Sequence, residues 1–193
     1  MSEIRVDTIT EKTSANGVAI DSVTLKDGGA TLTDNITFSA SGKGVHLGVT
    51  TATAANLLDD YEEGTWTPVI SADAVPTAYG SQIGHYVKIG RQVTILFTIN
   101  ISTIGSFSGA QVKVTGIPFT SGDMSRHSFG TLFIDGAASE VQAAGDLAVR
   151  VTSNSTQVLF QGNSGNTSGD NNINANKIDT GTFVHGSVTY FTD

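Results

Sequence analysis

Side-chain catalysis needs a base, a nucleophile or paired carboxylates held within hydrogen-bond reach of one another. The four histidines, His46, His85, His127 and His185, fall in separate segments with no nucleophile signature beside them, and no Gly-x-Ser-x-Gly elbow occurs. A glycosidase would set two carboxylates across one cleft, and Asp135, Glu140 and Asp146 are the clustered acids of the later part of the chain. The run Asp59-Asp60-Tyr61-Glu62-Glu63 holds four acids, but a calcium loop alternates its ligands about a glycine turn at a fixed offset, and this run lacks that spacing. The expectation is a chain that is not an enzyme, with no metal site and no cofactor.

Recognition chemistry is better represented. Trp66 could stack on a sugar ring, but a single large aromatic at the entrance to a domain reads first as a packing anchor. Tyr79 and Phe107 sit beside glycine and serine in expected loops, where an aromatic face is free to meet a ligand. Residues 163–176 are rich in asparagine, serine and glycine, and their amides and hydroxyls offer donors and acceptors together, which suits sugar hydroxyls. The expected receptor contacts are therefore Tyr79, Phe107, Asn163, Asn166, Asp170, Asn171, Asn172 and Asn174.

These residues need a scaffold, and its composition points to β structure. The chain has 193 residues, of which 26 are Thr, 19 Ser and 22 Gly, a balance that favours strands and turns over helices. Its length fits one full domain with an appendage. Hydrophobic residues at 38% are enough for a core. The net charge of -8 repels a nucleic-acid duplex, and the absence of cysteine excludes disulfides and thiolate metal sites. No stretch approaches the eighteen or so apolar residues of a membrane helix, and residues 1–25 lack the apolar run of a signal peptide, so a protein made in the cytoplasm without membrane insertion is expected.

In residues 1–60 the apolar side chains come as pairs two apart: Val18 and Ile20, Val23 and Leu25, Ile36 and Phe38, Val45 and Leu47. That spacing puts both members on one face of a strand. Turn signals such as Asn16-Gly17 and Asp34-Asn35 separate the pairs and keep each strand short. Short isolated rungs are marginal in water, so the segment must gain stability from sister copies. The expectation is an elongated, intertwined trimeric β stalk with those eight residues as the trimer core. Asn56 is expected to cap a helical turn, and residues 61–64 to form an acidic hinge.

From residue 65 to 193 the strand signals lengthen. Gln92 to Ser102 alternates strictly, with Val93, Ile95, Phe97, Ile99 and Ile101 on one face, and Gly90 marks a tight hairpin back to Tyr86-Val87-Lys88. Further strands are expected at 111–115, 128–134, 141–143, 147–152, 157–161 and 182–192, which together predict an all-β head, a β-sandwich of jelly-roll type.

Several stretches resemble tail-fibre and related structural proteins of tailed bacteriophages: the opening Ser2-Glu3-Ile4-Arg5-Val6-Asp7-Thr8-Ile9, then Leu58-Asp59-Asp60-Tyr61-Glu62-Glu63-Gly64-Thr65-Trp66-Thr67-Pro68, Gly84-His85-Tyr86-Val87-Lys88-Ile89-Gly90 and Gly116-Ile117-Pro118-Phe119. The resemblance extends to about residue 120. It implies a virion component, commonly a homotrimer, with a thin stalk and a β-rich tip. The expected function is a noncatalytic virion fibre whose head meets a host-surface glycan or protein and whose amino-terminal segment docks on other virion proteins. The alternative is a purely structural part of the particle, such as a head fibre, decoration protein or tail connector.

Overall fold

The computed structural model describes residues 34–72, 76, 78–105, 109–136, 146–162 and 172–193. Among them the regular structure is β apart from two single 3-10 turns, Ala54–Asn56 and Ala175–Lys177. The compact unit that holds the sheet runs from Ser39 to Asp193.

A small ladder comes first, β1 (Val45–His46) against β2 (Leu57–Leu58). Asn56 lies at the end of the intervening 3-10 turn and not at its start; its side-chain oxygen accepts from Thr53 Oγ1 at 2.8 Å. A second, nine-stranded antiparallel sheet follows, built from β3 (Tyr61–Trp66), β4 (Val69–Ser71), β5 (Ala78–Ile89), β6 (Gln92–Thr103), β7 (Lys113–Thr115), β8 (Ser128–Asp135), β9 (Leu147–Val151), β10 (Gln157–Gly162) and β11 (Phe183–Phe191). Its order is β3-β5-β6-β11-β8-β9-β10-β7-β4.

That order dictates the shape of the sheet. Strands β3 and β4 are its two edges, yet only Thr67 and Pro68 separate them in sequence. Two residues span roughly 10 Å from end to end, far less than the width of nine strands spaced by about 4.8 Å. The sheet therefore curls until its edges approach. Inward residues of β6 and of β4, β7 and β10 then fall into one core, in which Val93, Ile95, Ile99, Val114, Val158 and Phe160 are shut off from solvent. Tyr79 on β5 reaches across to β4, its hydroxyl accepting from Ile70 N at 3.1 Å.

The longest hairpin follows directly from its sequence. Alternation on β6 sends Val93 to Ile101 inward, and Gly90, at φ +55°, makes the two-residue turn that sets the β5–β6 register at Ile89 opposite Gln92. Phe97 is opposite Gly84 on β5 and Gly186 on β11. A Cβ on Gly186 would stand 2.2 Å from Phe97 Cζ, so the missing side chain is what makes room for the ring. Trp66 fills the space over Gly84 and meets Phe97 edge-on at 6.0 Å, which gives it the packing role expected of it.

Residues 61–64, the expected acidic hinge, lie within a strand of the sheet. Tyr61 to Gly64 are the first part of β3 and pair in register with Ile89 to Tyr86. Charged side chains are at home on an edge strand, because they keep it from recruiting a second sheet. Glu62 accepts from the Tyr86 hydroxyl, Glu63 accepts from Tyr61, and Asp60, just ahead of the strand, pairs with Lys88. The Lys88 ammonium also lies 5.6 Å from the centre of the Phe119 ring.

Candidate binding face

The alternate positions of β5, β6, β11 and β8 form the outer face of the sheet. In register across it run Ile83, Thr98, His185 and Phe133, and in the next row His85, Leu96, Ser187 and Thr131. Together these two rows line a shallow depression of about 530 Å³. Large apolar side chains stand open on this face, with Leu96 and Ile83 each 50% and Phe129 and Phe133 each 61% exposed. Val87, Ile89, Phe183 and Phe191 extend the apolar surface along the same strands.

Four of the polar side chains among them are paired with one another. Thr98 Oγ1 and His185 Nδ1 share a hydrogen bond at 3.0 Å, and the hydroxyls of Thr94 and Thr189 share one at 2.8 Å. The Phe133 ring lies 6.2 Å from the His185 ring, tilted by 40°. The four strands contain two fixed charges: Lys88, which is turned inward, and Asp135 at the end of β8. A solvent-facing sheet surface ordinarily carries alternating polar and charged residues. This one does not.

A second, wider depression of about 810 Å³ lies between the chain at 125–129 and the turn at 152–153, lined by Ser125, Arg126, His127, Phe129, Thr152 and Ser153. Its aromatic floor is Phe129, which the His127 ring meets at 6.4 Å. Among the described residues no three His, Asp or Glu side chains converge as metal ligands would.

The residues singled out from sequence are scattered. Tyr79 is half-buried, and burial raises its phenol pKa against the opposing effect of the Ile70 backbone bond. Its hydroxyl also donates to Ile70 O at 3.3 Å, so it ties β5 to β4 and is not presented to a ligand. Asn172 Oδ1 accepts from Gln111 Nε2 and Gln161 Nε2, each at 2.7 Å, which closes an amide cluster within the protein. Asn174 is exposed and bridges to Gln111 through its backbone. None of the three lines either depression. Phe107, Asn163, Asn166, Asp170 and Asn171 lie outside the described residues, as do Glu140 and the trimer-core candidates Val18, Ile20, Val23 and Leu25. The remaining core candidates, Ile36, Phe38, Val45 and Leu47, are exposed, Ile36 to 63%.

Sequence reasoning missed the outer face. Its signal was present in Phe129 and Phe133 alternating with Leu132 and Ile134, two apolar sets on opposite sides of one strand. Two tyrosines at the edge sit against carboxylates: hydrogen bonding to Glu63 raises the Tyr61 phenol pKa, and hydrogen bonding to Glu62 raises that of Tyr86. The chain matches no family model, no curated protein and no solved structure.

Proposed function

We propose that the chain is a fibre-type structural protein of a bacteriophage virion, a homotrimer with a β stalk and a jelly-roll-like β head that recognises the host surface without catalysis. The observation that carries this reading is a contrast in burial. Ile36, Phe38, Val45 and Leu47 leave their side chains in water, while the sheet closes on a core of its own. Apolar pairs of that kind gain stability only against another surface, and identical copies supply one at every rung. Three copies also let weak single sites act together.

The test is sedimentation of the full-length protein together with competition for adsorption. The expected result is a species of three 20.0 kDa chains that, in excess, blocks attachment of particles to host cells. A compact monomer rejects the fibre reading. The second reading, a structural part of the particle with no receptor of its own, is favoured by Tyr79 and Asn172, whose polar groups are turned to the protein itself. A trimer that leaves adsorption unchanged and labels the capsid wall selects it.

A further inference from the structure

We infer that the outer face of β5, β6, β11 and β8 is where the heads of sister copies meet. This rests on the proposed reading, since it names the surface through which an associated chain packs its heads.

Three observations converge on a second copy as the occupant. The first is size. Four strands at about 4.8 Å spacing and some nine residues at about 3.3 Å each give a face on the order of 500–600 Å². Apolar and polar side chains share that face, and its whole extent approaches the roughly 800 Å² that each partner contributes to a stable interface.

The second is charge. A chain of net charge -8 repels its own copies wherever acids are displayed. On the outer face the one fixed charge is Asp135, at the rim, so identical surfaces approach there without stacking carboxylates.

The third is polar satisfaction. Here Thr98 is bonded to His185 and Thr94 to Thr189, so covering the face leaves these groups paired. What remains to be desolvated is Ile83, Leu96, Phe129 and Phe133, whose burial is favourable, together with the side chains of His85, Thr131 and Ser187. Residues near a symmetry axis meet their own counterparts in two-fold and three-fold assemblies alike. Leu96 is placed near the middle of the face, and with the axis of the proposed contact passing there its neighbour is the partner's equivalent residue.

The chain has no cysteine, which makes a single introduced thiol a clean reporter. Full-length Leu96→Cys, oxidised mildly, is compared with Thr156→Cys on the exposed β9–β10 turn. The expected outcome is an oligomer in which Leu96→Cys chains become disulfide-linked pairs and Thr156→Cys chains do not. Adding Phe133→Glu to Leu96→Cys is expected to lower the linked fraction at least tenfold. An oligomer in which the Leu96→Cys thiol is alkylated as fast as that of Thr156→Cys overturns the interface and leaves the fibre reading intact. Protection of that thiol only when host envelope glycan is added also overturns it, by making the face a ligand site. A monomer removes both readings.

Discussion

The inner and outer faces of the nine-stranded sheet are made from alternate residues of the same strands, yet they meet different requirements. On β6 the inner set is Val93, Ile95, Phe97, Ile99 and Ile101, all buried, and the outer set is Thr94, Leu96, Thr98 and Asn100. The inner face is complete within one chain, with ring against glycine at Phe97 and Gly186 and hydroxyl against carbonyl at Tyr190 and Phe119. The outer face sets exposed apolar side chains among polar ones and stands open to solvent. A side chain on the first should matter to the fold of a single copy, and one on the second should matter to what that copy touches.

Core truncation separates the two faces most strongly. Phe160→Ala removes a wholly buried ring and is expected to cost about 3–5 kcal/mol, read as a lowered midpoint in denaturant, whereas Leu96→Ala at high dilution stays within about 0.5 kcal/mol. Equal effects would mean that the outer face is already part of a single-chain core.

A smaller effect comes from adding volume. In Gly186→Ala the new methyl meets the Phe97 ring and is expected to cost about 1–3 kcal/mol, with part of the loss recovered in the double variant Gly186→Ala, Phe97→Leu. Additive losses in thermal unfolding would argue that the ring does not depend on that glycine for its place.

Among the inner-face variants the smallest expected effect at neutral pH is that of Tyr190→Phe, about 1 kcal/mol for the lost hydrogen bond to Phe119 O at 2.8 Å. It has a second signature. Burial pushes the Tyr190 phenol up to about 12, while in an unfolded chain it ionises near its ordinary 10.0. The folded state holds that proton more tightly, so its contribution is whole below pH 10 and is lost as the pH climbs from about 10 through about 12. Tyr190→Phe should flatten this alkaline decline in stability, and an unchanged slope in pH-dependent unfolding would assign the decline elsewhere.

Much of the inner face was legible from the chain. The alternation of Val93 to Ile101, the turn at Gly90, and the strands at 128–134, 147–152, 157–161 and 182–192 could be read because period-two burial and glycine turns are local properties. Which strands are neighbours was not legible, since pairing is set by contacts far apart in sequence: β11 enters between β6 and β8. The acidic stretch 61–64, whose charge suggested a solvated hinge, runs along an edge strand, where charge is compatible with a ladder. The start of β5 was hidden by Gly80, Ser81 and Gln82, which have low strand propensity and depend on their partners in β6. The outer face stayed invisible for a related reason. Leu96, Phe133 and Ile83 are ordinary alternating residues until their register shows that they share a surface.

The central place of β11 also has a consequence for biosynthesis. Strands β3, β5 and β6 on one side, and β8, β9, β10, β7 and β4 on the other, are joined along the hydrogen-bond ladder only through residues 183–191. A ribosome delivers those residues after every other strand. Until they emerge, the nascent polypeptide exposes two half-sheets with unsatisfied backbone edges, a state prone to capture by chaperones or by neighbouring nascent chains. Completion of the head thus waits until residues 183–191 have emerged, and through that interval sister polypeptides on the same message are close at hand.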